Sequence, residues 1–150
     1  MLKNIQEWFK GQWDDTSTSD DVNSLEIATA VLFYEVIRAD REFTELEERS
    51  YREQLTKHFS LSESELQTLC DLTKVKAENA VDYQQFTKVL NDLYSPEQKR
   101  SILDSLWTLA YADHELSPDE DYTIRKIADL LYLSHSQFIQ SKLAMQSLKN

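Results

Sequence analysis

Residues 39–47 read ADREFTELE and residues 112–120 read ADHELSPDE. In both, Ala-Asp is followed by an apolar residue three places after the Asp, a hydroxyl one place later, and Glu seven places after the Asp. The offset holds across the pattern, since 113 − 40 and 120 − 47 both give 73. Thr44/Glu47 and Ser117/Glu120 have the S/T-x-x-E spacing of a capping box, in which each partner satisfies a backbone N–H that the first helical turn leaves open. Each copy therefore stops one helix at Ala-Asp and starts another, and the chain writes the same turn twice.

The pattern extends outward from these two turns. One Gly and two Pro among 150 residues, with long stretches of 3.6-residue apolar period, describe a chain built from helices. Further boxes fall at Asn23/Glu26, Ser62/Glu65, Ser95/Gln98 and Ser134/Gln137, and Pro96 and Pro118 occupy first helical positions, where a missing N–H costs nothing. Helices are expected at about 2–12, 24–39, 45–58, 63–76, 80–93, 96–112, 118–131 and 135–148. LSESELQTL (61–69) aligns with LSHSQFIQS (133–141) after a one-residue deletion. The predicted fold is thus an all-α, single-domain helical bundle of two tandem pseudo-symmetric three-helix repeats, about 24–76 and 96–148, with a connecting helix at about 80–93. Helices 24–39 and 96–112 are apolar on most sides and are expected in the middle of the bundle. Residues 1–22 read as an N-terminal amphipathic helix followed by an acidic, Ser/Thr-rich linker, and the helical domain as 23–150.

Composition excludes whole classes of function. A net charge of −11 without a dense Lys/Arg cluster argues against nucleic acid. With Gly11 the only glycine, the Gly-rich phosphate loops and the nucleophile elbow are ruled out. His114 opens HELSP, which has Pro118 where a second zinc-binding His would stand. The longest unbroken apolar run, AVLFY (30–34), is far short of the roughly 20 residues that span a bilayer. A lone Cys70 and a first segment without an apolar signal core lead to an expectation of a cytoplasmic protein.

The repeated turn is where chemistry concentrates. Glu47 and Glu120 are accounted for by their capping boxes and by the positive end of the helix dipole. Asp40 and Asp113 stand at helix C-termini, where a carboxylate meets the negative end at a cost of about 0.3–1 kcal/mol. Two compensations are open: an Asx-turn onto the departing backbone, or a divalent cation. Asp40, Glu47, Asp113 and Glu120 are hard oxygen donors suited to Ca²⁺ or Mg²⁺, and one ion would relieve their mutual repulsion if both turns lay on one side.

With its duplicated helices and paired Ala-Asp turns followed by acidic helix starts, the sequence resembles the TerB-like family of tellurite-resistance proteins over about residues 24–145. The resemblance implies a non-enzymatic duplicated helical bundle with paired acidic motifs for divalent metal, and a role in stress-response complexes near the inner membrane. Carried over by position, the ligands are Asp40, Glu47, Asp113 and Glu120, with Glu48 and Asp121 as neighbours. The family's Gly after each Asp is replaced here by Arg41 and His114, and Arg41 can itself pair with the local carboxylates in place of a cation.

Leu2, Ile5, Trp8, Phe9 and Trp13 fall near one helical face, and with so few basic residues beside them this face suits protein better than a membrane surface. Glu35 reads as the one solvent-facing strip of an apolar helix, and Cys70 as a structural thiol. Three functions follow: a metal-binding TerB-like interaction module, a metal-independent interaction domain, and, less favoured, a metal-dependent hydrolase. The expected partners are other proteins, with self-association left open.

Overall fold

The structure, a computed structural model, describes residues 21–39, 44–112 and 116–149. The expected helix at 2–12 and its linker up to Asp20 lie outside these residues. Seven helices are found among the described residues: α1 Asp21–Ile37, α2 Glu45–His58, α3 Glu63–Asn79, α4 Gln84–Leu93, α5 Pro96–Ala110, α6 Pro118–Leu130 and α7 His135–Lys149. None of them is long and apolar enough to cross a membrane.

The two helices expected in the middle are there. Ile27, Val31, Leu32, Phe33, Val36 and Ile37 on α1 are fully buried, as are Ile102, Leu103, Leu106, Trp107 and Leu109 on α5. Helix α1 packs against α2, α3, α4, α5 and α6, while α5 packs against α1, α2, α6 and α7. Burial on most sides follows from that many neighbours, and each large apolar side chain so enclosed contributes about 1.5–3 kcal/mol. In each half, the long apolar helix contacts the two helices that follow it.

Five of the six expected capping boxes form, at Thr44/Glu47, Ser62/Glu65, Ser95/Gln98, Ser117/Glu120 and Ser134/Gln137. At the sixth, Asn23 stands inside α1, which already begins at Asp21, rather than at a helix start. The connector is also shorter than its expected 80–93. Helix α3 continues to Asn79, with Ala77 buried in the core. The chain then turns through residues 80–83, and Asp82 accepts the Gln84 N–H at 2.9 Å to open α4.

With no glycine available, α6 closes on Tyr132, which takes φ 62°. Leu133 N–H returns to Ala128 O at 3.1 Å, a helix-ending geometry that usually has Gly at the left-handed position. The Asn91 side chain from α4 supports this end by donating to Leu130 O at 2.9 Å.

Candidate functional site

The described residues on either side of the repeated turn share their geometry. At the end of α1, Arg38 N–H bonds to Tyr34 O at 3.1 Å and Ala39 N–H to Val36 O at 3.2 Å. At the end of α5, the positions 73 residues on repeat this: Tyr111 N–H to Trp107 O at 2.9 Å, and Ala112 N–H to Leu109 O at 3.2 Å. Asp40 and Asp113, which follow these two helix ends, lie with Arg41 and His114 outside the described residues.

Beyond the turns the match resumes. Glu47 Oε1 accepts the Thr44 N–H at 3.1 Å, and Glu120 Oε1 accepts the Ser117 N–H at 3.0 Å. Both glutamates are 0% exposed, whereas Glu65, in a box of the same design, faces solvent. A capping glutamate ordinarily keeps its carboxylate wet, and taking it wholly out of water is stable only with compensation. Glu47 and Glu120 head α2 and α6, which are not among the helix pairs in extensive contact. No group of three or more His, Cys, Asp or Glu that could hold a metal is found among the described residues. As donors, two buried carboxylates fit a hard cation, each with one oxygen already committed to its cap.

The neighbours of these glutamates differ between the halves. Asp121 is held by Lys142, Nζ to Oδ2 2.6 Å, and more distantly by Arg125 at 3.9 Å. The Lys142 ammonium also lies 5.4 Å from the centre of the Trp107 ring. Glu48, one residue after Glu47, is exposed and makes no ion pair among the described residues.

Glu35 corrects the sequence reading. It is not a solvent-facing strip but is 7% exposed and gripped by Arg38, Nε to Oε2 2.9 Å and Nη2 to Oε1 2.7 Å. Arg38 Nη2 also donates to Ala77 O at 3.1 Å, and the guanidinium lies 5.4 Å from the centre of the Tyr34 ring. Its pairing with Glu35 raises the Arg38 pKa further. A pair of opposite charges three residues apart was the sequence signal for this contact. Its burial was not visible there, because only packing by α3 and the turn after it closes over α1.

Two further arrangements were beyond sequence reasoning. The Ser105 hydroxyl on α5 donates to Gln54 Oε1 at 2.8 Å and accepts from His58 Nε2 at the same distance, tying α2 to α5. Burial, and the nearby Lys57, lower the His58 pKa, so the ring is held neutral. Between α1, α2 and α3 lies a cavity of about 410 Å³, bounded by Tyr34, Arg38, Glu48, Tyr51, Arg52 and Cys70 among others. Burial pushes the Cys70 thiol up to about 11, in keeping with a structural role.

The family model described as tellurite resistance protein TerB matches residues 26–143. No curated protein and no solved structure matches the chain.

Proposed function

From the premise that this chain belongs to the TerB family, we propose that it is a non-enzymatic interaction module of a tellurite-resistance-related system. Its two acidic turns each take a divalent cation, Ca²⁺ or Mg²⁺ by ligand type, through Asp40 with Glu47 and Asp113 with Glu120. The observation that carries this reading is the complete burial of Glu47 and Glu120 in matching capping boxes immediately after the repeated turn. A buried capping carboxylate of this kind, once in each half of the chain, supplies an oxygen donor where water competes poorly. Bound ions would fix the path between α1 and α2 and between α5 and α6, and so the surface offered to partners.

One observation favours the metal-independent alternative. Asp121 and Glu35 already receive cations from the chain itself, Lys142 and Arg38. In that reading the acidic turns are caps and salt bridges.

Thermal unfolding in excess EDTA and then with Ca²⁺, Mg²⁺, Mn²⁺ or Zn²⁺ separates the two. A site filled at about 100 times its Kd adds about 2.7 kcal/mol, a shift of several degrees. A shift with one ion that disappears in Asp40→Asn/Asp113→Asn supports the metal reading. No shift with any ion, and a double mutant as stable as the parent, supports the alternative.

A further inference from the structure

The ammonium of Lys142 stands where the second acidic turn is anchored. It lies 2.6 Å from Asp121 Oδ2 and 5.4 Å from the centre of the Trp107 ring. Asp121 directly follows Glu120, the buried carboxylate of the Ser117 cap, in the first turn of α6. Trp107 belongs to the last turn of α5 and stacks on Tyr111, with ring centres 6.1 Å apart, two residues before Asp113. A side chain from α7 thus brings a positive charge against both of the helix ends that the turn joins.

The same charge ties α7 to α6. These helices are not among the pairs in extensive contact, and side chains bridge them instead. Lys142 pairs with Asp121, and the Arg125 guanidinium lies 5.3 Å from the centre of the Phe138 ring. Arg125 also stands 3.9 Å from Asp121, so one carboxylate draws cations from both helices. The Asp121 side chain is 21% exposed and that of Lys142 27%, a partly desolvated setting in which charges are screened less than on an open surface.

We infer that Lys142 opposes the cation of the second acidic turn and relays its arrival to α7. The inference rests on the metal-binding reading of Asp113 and Glu120 and concerns the regulation of that site. A divalent ion held there adds two positive charges near an ammonium fixed on the residue next to Glu120, and physiological salt leaves such repulsion in force over roughly 8–10 Å. Lys142 therefore weakens the binding of the ion, and by reciprocity the ion weakens the pairing of Lys142 with Asp121. With the ion in place, α7 is held to α6 less tightly. Helix α7 is then the element through which the state of the second turn reaches a partner.

Titration with Ca²⁺ and Mg²⁺ in the Asp40→Asn background, which leaves the second turn to be read by itself, tests this. Calorimetry gives the affinity, and amide exchange reports on α7. Lys142→Met is expected to bind the ion about three-fold more tightly or better, while Lys142→Arg, which keeps the charge, binds it as the unaltered lysine does. Lys142→Gln repeats the measurement with a polar neutral side chain, in case Met packs onto Trp107. The gain should shrink as KCl is raised, vanish when Asp113→Asn is added, and be absent from Lys88→Met on α4, which changes the net charge equally. With Lys142 present, the ion should also quicken amide exchange at 138–145 by up to about three-fold, the same coupling read from the other side. An ion that binds with the same affinity whether position 142 is Lys, Met or Gln overturns the inference and leaves the metal reading standing. An ion that binds only the two neutral variants upholds it, with Lys142 excluding the ion from the turn. If neither ion binds any of these chains, the metal reading of the second turn fails and the inference falls with it.

Discussion

Arg38 grips Glu35 with two hydrogen bonds, at 2.9 and 2.7 Å, one turn before the chain enters the first Ala-Asp turn. The carboxylate is almost wholly buried, while the arginine side chain keeps about a third of its surface in water. Removing Arg38 would therefore leave a buried charge without its nearest cation. Arg38→Met should lower stability by about 2 kcal/mol, discounted from a fully buried pair for the arginine's access to solvent. Glu35→Gln/Arg38→Met should recover most of that loss. Denaturant unfolding of the parent and the two variants checks both statements, and equal losses in the single and double mutants would show that the pair has no coupling.

Glu26, near Glu65, makes stability fall as pH rises. Burial and, secondarily, the charge of Glu65 raise its pKa from 4.5 to about 7. A carboxyl with a raised folded-state pKa binds more protons folded than unfolded between about 4.5 and 7, so its contribution is present at acid pH and is lost through that window. Glu26→Gln should exceed the parent by about 1–2 kcal/mol at pH 8, after allowance for partial solvent access, with the gap closing below pH 4.5. A gap independent of pH would contradict this.

His58 works in the opposite sense. Burial lowers its pKa below 6.5, so the folded state binds fewer protons than the unfolded one, and its contribution is lost as pH falls from 6.5 through the folded-state value. Protonation also puts a charge beside Ser105 and Gln54, between α2 and α5. The midpoint of His58→Gln should therefore vary less than that of the parent between pH 7 and 5. Parallel profiles for the two proteins would place the acid sensitivity elsewhere.

Cys70 should be slow to react. A thiol held at about 11 is ionised to only about one part in a thousand at pH 8. Alkylation by iodoacetamide at that pH should be orders of magnitude slower in the native protein than in guanidinium, with mass spectrometry as the readout. Rapid native labelling would mean that the thiol is far more exposed or activated than its place between Tyr51 and Arg52 allows.

Much of this architecture was written locally. Ser62/Glu65 and Ser117/Glu120 start helices because hydroxyl and carboxyl three residues apart satisfy each other's backbone N–H groups wherever they occur. The apolar density of α1 and α5 required many neighbours for the same reason in sequence as in space. Asn23/Glu26 shows the limit, since the same spacing was overridden when the helix began earlier. Nor does a box reveal how deep it lies: Glu65 and Glu120 read alike, yet one faces water and the other is fully enclosed.

By itself, then, the sequence determined the helical class, the two turns, most of the helix starts and membership in the TerB family, because these depend on periodicity and on contacts within a few residues. Only the tertiary structure decided that Glu35 is buried against Arg38, that His58 reaches Ser105 across 47 residues, and that Cys70 stands by a cavity between α1, α2 and α3. Those relationships depend on which helices meet and how closely, and side chains far apart in the chain acquire their surroundings only when the core closes.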